Sequence, residues 1–229
     1  MINPKCLAPV IPSPWSPYRS YVAEQMKDLG VKPGDIVCRL GNAYLFGFFW
    51  LSKFIAKVTH SRYSHAAIIT DVEDDIIIVD VSSTSTRRQF AQEWADDVWG
   101  QDILIVRYTG DPVVPMAAVD NVKHIESKSL SYSDTFNEEG KFYCTELICW
   151  AYVRAGVSLC EEIPIREFPG WRWHNNILAW MNGVDPKTPV WCVGNERVGI
   201  LSSKQLTKVG RIILPSVRRH NVKHAFAGV

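Results

Sequence analysis

Phe142-Tyr143-Cys144-Thr145-Glu146-Leu147 leads into Ile148-Cys149-Trp150-Ala151-Tyr152, and the run stays largely apolar to Ala155, where Gly156 offers a stop. This reads as a helix that starts at Cys144 and is buried on most sides. A cysteine in that place meets the positive end of the helix dipole and the free N–H groups of the first turn, and both favour the thiolate. Far upstream, Tyr63-Ser64-His65-Ala66-Ala67-Ile68-Ile69 puts a histidine at the mouth of an apolar strand. An imidazole within reach of such a thiol takes its proton and makes a nucleophile.

A candidate for a third group comes from counting across a hairpin. His65 to Thr70 and Ile76 to Val81 read as two arms joined by the acidic turn Asp71-Val72-Glu73-Asp74. Pairing Thr70 with Asp75 and counting outward sets His65 opposite Asp80. Opposed residues share a face of the sheet, whereas a slip of one residue moves Asp80 to the other face. An acid on the far ring nitrogen would fix the imidazole tautomer and favour imidazolium.

Composition narrows the alternatives. The chain has 229 residues, of which 47% are hydrophobic and 21% charged, with a net charge of +1. That is the make-up of a globular protein and gives no electrostatic case for nucleic-acid binding. No linker and no internal repeat appear, so residues 1–229 are read as a single domain, with 1–15 an extended arm and 216–229 a basic tail. The opening scatters Pro9, Pro12, Pro14 and Pro17 where a Sec signal would carry an apolar run. The longest apolar stretch, Ala43 to Val58, is too short to span a bilayer and holds Lys53 and Lys57; it reads as a buried helix, so no transmembrane segment is expected. The six cysteines show no CxxC pair and read as free thiols, with Cys38 and Cys149 inert in the core. His220-x-x-x-His224 has helical metal spacing without an acidic partner, and His60, His124 and His174 lack companions. Neither metal nor cofactor is expected.

The remaining elements are a helix from Ser16 and Pro17 to Gly30, a Pro33-Gly34-Asp35 turn, strands at Ile36 to Leu40 and Ile103 to Tyr108, a helix within Asp111 to Ser127 and a last strand at Arg211 to Leu214. Ser129 to Lys141 reads as a polar loop, and Ile163 to Val198, rich in Trp, Pro and Gly, shows no assignable pattern.

Pro33-Gly34-Asp35-Ile36-Val37, Tyr63-Ser64-His65-Ala66-Ala67-Ile68, Val79-Asp80-Val81, Tyr132 with Phe136, and Tyr143-Cys144-Thr145-Glu146-Leu147 follow one another in an order that resembles the circularly permuted NlpC-type papain-like hydrolases (YiiX/YebB-like). Histidine comes first, the acid second and the cysteine last, over residues 33–156. This chain departs from the family pattern at Thr145 (usually Ser), Asp80 (commonly Glu) and Ser133 (expected Asp). The resemblance implies an α+β fold in which an antiparallel sheet packs against the cysteine-bearing helix. It also implies amide hydrolysis, commonly in peptidoglycan stem peptides.

The reading that follows is a cysteine amidase or endopeptidase. Cys144 is the nucleophile, His65 the general base, Asp80 its orienter, and Tyr63 and Tyr143 line the substrate site. Without a Sec signal, such an enzyme is made in the bacterial cytoplasm. It either trims recycled peptides inside the cell or is delivered to a rival's periplasm as a type VI secretion effector, with an immunity protein and a secretion-machine component as partners; the effector reading is preferred. Two other readings stay open: an acyl-ester or lipid hydrolase or acyltransferase of the same fold, with Tyr44 to Trp50 touching lipid, and a catalytically inactive binding module.

Overall fold

The computed structural model describes residues 19–43, 51–81, 85–95, 102–128, 131–132, 141–172, 174–176, 179 and 184–214. In chain order the elements are α1 (Arg19–Asp28), β1 (Ile36–Arg39), α2 (Leu51–Val58), β2 (His65–Asp71), β3 (Ile77–Val81), β4 (Thr86–Phe90), α3 (Ala91–Trp94), β5 (Asp102–Tyr108), α4 (Val113–Ser127), β6 (Ser131–Tyr132), β7 (Lys141–Phe142), α5 (Cys144–Arg154), β8 (Ile163–Pro164), β9 (Pro189–Val190) and β10 (Leu206–Ile213). Six strands form one antiparallel sheet in the order β10-β5-β1-β2-β3-β4.

Both faces of this sheet are covered, which explains why its central strands read as unbroken apolar runs and not as alternating ones. In β2 the five residues from Ala66 to Thr70 are all buried. The period of two splits them between two cores. Ala66 and Ile68 join Ile36, Val79, Val119, Leu147, Ile148 and Tyr152 under α4 and α5. Ala67 and Ile69 join Val37, Ile78, Ile105, Val22, Met26 and Trp94 under α1 and α3. The cysteine-bearing helix therefore packs on the sheet as expected, and a second helical layer lies behind.

Several expectations change. The β2–β3 hairpin pairs Ile68 with Val79 and Ile69 with Ile78, with a bulge before Asp71. Continued by one residue, this register sets Asp80 beside Ala67 and not beside His65. The shift is two residues, so face parity survives and Asp80 reaches His65 diagonally. The loop expected from Ser129 to Lys141 contains β6 and β7, a short parallel pair. The last strand is longer than expected and begins at Leu206, because an edge strand with one exposed side tolerates Lys208 and Gly210. β4 escapes sequence reading for the same reason, since Thr-Arg-Arg-Gln-Phe carries the charge that protects an edge. The arm, the basic tail, Tyr44 to Trp50, Ser133, Phe136, His220 and His224 lie outside the described residues. Among those described, no helix is long and apolar enough to cross a membrane.

The unassigned stretch after residue 160 folds back on α2. β8 pairs with β9, and Ile165, Phe168, Val190 and Cys192 form a third core with Val58 and Tyr143. Gly170 N–H donates to the Val58 carbonyl at 2.8 Å, and Asn195 Nδ2 to the Thr59 carbonyl at 2.8 Å. Trp171 stands edge-on to Phe54, with ring centroids 6.4 Å apart.

The Pro33-Gly34-Asp35 turn proves to be a structural clamp. Gly34 has φ +90°, and a Cβ there would stand 2.4 Å from Pro115 Cβ, so this close approach needs glycine. The Gly34 carbonyl accepts from the Tyr152 hydroxyl of α5 at 2.8 Å. Asp35, 1% exposed, accepts from Arg107 Nε and one Nη at 2.7 Å each and from Lys32 N–H at 2.8 Å. Removing the guanidinium would leave a buried carboxylate without its counter-charge. Arg107→Ala is therefore expected to lower unfolding free energy by about 3 kcal/mol, measured by urea denaturation; a loss under about 0.5 kcal/mol, the size of an exposed pair, would show that the clamp carries no load.

Candidate active site

Cys144 is the first residue of α5, and local features fix it there. Tyr143 stays extended (φ −103°, ψ 168°). Its N–H donates to the Glu146 carboxylate at 3.2 Å, which caps the helix start. The Tyr143 ring is buried in the third core, and its hydroxyl accepts from Trp191 N–H at 2.8 Å. The thiol itself is half-buried. Its sulfur lies 3.7 Å from Thr145 Oγ1, and the His65 side chain and the Ala66 backbone N–H are the groups that stabilise its charge.

His65 is the first residue of β2, and its Nε2 lies 2.9 Å from Asp80 Oδ2. Nδ1 is the ring nitrogen left for the sulfur. Asp80 is 1% exposed and carries two further cationic neighbours. Arg87 donates from Nε to Oδ1 at 3.2 Å and from Nη2 to Oδ2 at 3.1 Å. Arg39 Nη2 stands 3.9 Å from Oδ2, and its guanidinium lies 4.4 Å from the centre of the Trp94 ring. The structure thus brings Asp80 to His65, diagonally and not directly opposed as the count across the hairpin had it, and places Cys144 beside that histidine.

These contacts set the protonation states. Burial works against a charged Cys144, but the His65 charge and the hydrogen bonds from His65 and Ala66 outweigh it and hold the thiol below its ordinary value. Burial likewise pulls His65 down, yet the Cys144 thiolate and the bonds to Asp80 and Cys144 lift it to about 9. Burial opposes ionisation of Asp80, and the His65 bond with the His65, Arg87 and Arg39 charges reverses this, holding the carboxyl far below the usual range. Together the shifts favour the thiolate–imidazolium pair over the neutral thiol and imidazole. Burial, with Glu162 nearby, pushes Glu146 up to about 7, so the helix cap is itself partly protonated near neutrality.

Tyr63 and Tyr143, expected to line the site, are 7% and 5% exposed. Tyr63 packs into the core under α4 and α5 and bonds with Arg211, which pairs with Asp102. Three neighbours were not found from sequence. Arg39 was visible only as a charge inside the apolar run Ile36 to Leu40, and Arg87 sits in a strand that was not recognised. Gly41 lies against the histidine: a Cβ there would stand 3.2 Å from His65 Cβ and 2.8 Å from Ser52 Oγ.

The other described cysteines are free thiols. Burial pushes the Cys38 and Cys149 thiols well up and Cys192 to about 12. Cys149 is not isolated, since its sulfur lies 3.9 Å from that of Cys160. Among the described residues, no group of three or more His, Cys, Asp or Glu side chains is placed to hold a metal ion.

No protein-family model and no curated protein sequence matches the chain. Its fold is similar to that of a solved structure of YiiX from Escherichia coli O157:H7, described as a metalloprotein of the group DUF1105. The TM-score is 0.63 at 18% identity, over 80% of this chain and 98% of YiiX. The chain has a YiiX-like fold, in which helices and an antiparallel sheet are mixed.

Proposed function

We propose that the chain is a cysteine hydrolase that cleaves amide bonds. The observation that carries the reading is the hydrogen-bonded His65–Asp80 pair of β2 and β3, with Cys144 brought beside it at the start of α5. The thiolate of Cys144 attacks the amide carbonyl carbon, and the carbonyl π electrons move to oxygen. The Cys144 backbone N–H, at the free end of α5, is the natural donor to that oxyanion. His65 gives its proton to the leaving nitrogen, the C–N bond breaks, and a thioester remains. Neutral His65 then takes a proton from water, whose oxygen attacks the thioester. Collapse releases the acid and restores the thiolate–imidazolium pair. Asp80 holds the ring throughout.

The sequence resemblance supports peptidoglycan stem peptides as the substrate class. With it go the reading as an antibacterial effector and the immunity protein that its producer would need. The segment behind the lipid reading, Tyr44 to Trp50, lies outside the described residues, and no observation favours that reading over the amidase.

Digestion of purified peptidoglycan, read by mass spectrometry, is expected to release fragments with wild type and at least about a thousandfold less with Cys144→Ala or His65→Ala. Undiminished release by Cys144→Ala would overturn the mechanism. Iodoacetamide is expected to label Cys144 ahead of the other thiols at pH 7, with His65→Ala slowing it roughly tenfold; uniform labelling of the folded protein would count against an activated thiolate. The pH dependence has a defined sign. The leaving nitrogen needs imidazolium, and His65 loses its proton as pH rises through about 9, so cleavage should hold through neutrality and fall above that pH. A rate that climbs steadily past it would contradict the assignment of His65 as the acid.

A further inference from the structure

Four charged side chains form a row across one end of the sheet. Arg39 of β1 directly opposes His65 of β2, and Asp80 of β3 directly opposes Arg87 of β4. The β2–β3 register brings the two pairs together, since Asp80 falls beside Ala67, one step along the same face from His65. Between this row and the Asp35–Arg107 pair at the other end, the middle of that face is apolar: Val37, Ala67, Ile69 and Ile78 belong to its core. A charged row at the margin of such a core carries a large desolvation cost and persists only where the charges compensate one another. The single carboxylate is fully enclosed and is contacted by three cations.

The three cations play different parts. Arg87 grips both oxygens of Asp80, so the carboxylate cannot rotate away from the imidazole without breaking both of those bonds. Arg39 is pinned on the Trp94 face, 2% exposed, and adds its charge to Asp80 from 3.9 Å. His65 receives what remains, one short contact at Oδ2. Part of the carboxylate's charge is thereby spent on guanidinium, which limits how strongly Asp80 draws a proton onto His65.

Resting on the hydrolase reading above, we infer that Arg87 is a positioning residue of this site: it fixes the Asp80 carboxylate toward His65 and, with Arg39, sets the proton affinity of the imidazole. It touches no reacting atom. Its effect passes through Asp80 to His65, and through His65 to Cys144. The charged groups that face His65 are Arg39 from β1, Asp80 from β3, with Arg87 from β4 behind it, and Cys144 from α5. Replacing Arg87 by a neutral hydrogen-bond donor removes the guanidinium charge while the short Asp80–His65 bond remains, so the His65 pKa is expected to rise.

The test uses the full chain with Cys144→Ala as parent, so that the thiolate makes no contribution, and follows the His65 ring by NMR as a function of pH. Arg87→Gln in that background is expected to raise the His65 pKa by at least about 0.5 unit, whereas Arg87→Lys, which keeps the charge, stays near the parent. A role in folding alone would lower the melting temperature and leave the titration where it was; that result, or a fall in pKa, would overturn the inference. Lysine lacks the fork that grips both oxygens. The downfield proton resonance of the His65–Asp80 hydrogen bond should therefore broaden in Arg87→Lys, and this arm decides if the Gln variant does not fold. A resonance as sharp as in the parent would then refute positioning. Alkylation of wild-type Cys144 is measured separately. If that thiol is unactivated, the hydrolase reading fails while the NMR titration still reports on Arg87; if it is activated and the titration does not move, only the inference about Arg87 fails.

Discussion

Asp80 carries its negative charge where water scarcely reaches it, and the site-bearing end of the sheet is organised around that fact. A carboxylate that is 1% exposed must be compensated by hydrogen bonds and opposite charge or it takes up a proton. Here β4 supplies Arg87, β1 supplies Arg39 and β2 supplies His65, three strands that the sheet order places on either side of β3. The same compensation that lets the charge stay buried also aims one oxygen at Nε2 of the imidazole. Stability and chemistry therefore share one set of contacts at this end of the molecule.

The sulfur arrives from the other layer. α5 packs on the face that holds Ala66 and Ile68, while the alternation of β2 places His65 with Ala67 and Ile69. The two meet because both stand at the ends of their elements, where the helix has free N–H groups and the strand has an N–H to give the sulfur. Their ends are fixed from behind. The Tyr143 hydroxyl ties the helix start to the Trp191 backbone, and the Tyr152 hydroxyl ties the helix body to Gly34. The Asp35–Arg107 pair then anchors that turn to β5.

Legibility in the sequence follows burial and period. Strands covered on both faces show as apolar runs, so β1, β2, β3 and β5 were readable from Ile36, Ile68, Ile78 and Ile103 outward, and α5 from its cysteine start to Gly156. Edge strands were not, since Thr86 to Phe90 and Leu206 to Gly210 carry charges, glycine or exposed positions that resemble loops. The Cys144–His65–Asp80 set was legible because strand parity survives an error of two residues, though it would not have survived an error of one. Arg87 was invisible because its strand was invisible. Tyr63 and Tyr143 looked like lining because they stand close in sequence to His65 and Cys144. Tyr143 directly precedes Cys144, and neighbours in an extended segment point to opposite sides; Tyr63 lies two residues before His65, ahead of the start of β2, and its ring also turns into a core.

The claim on which this account turns is that Cys144 and His65 exist as an ion pair near neutral pH. The direct measurement is the ultraviolet absorbance of thiolate as a function of pH, taken as the difference between the wild-type chain and Cys144→Ala. A thiolate signal is expected at neutral pH that titrates away below the ordinary thiol value of about 8.5 and moves up toward that value in His65→Ala. A difference spectrum that appears only near the ordinary value in wild type, unchanged by removal of His65, would contradict it.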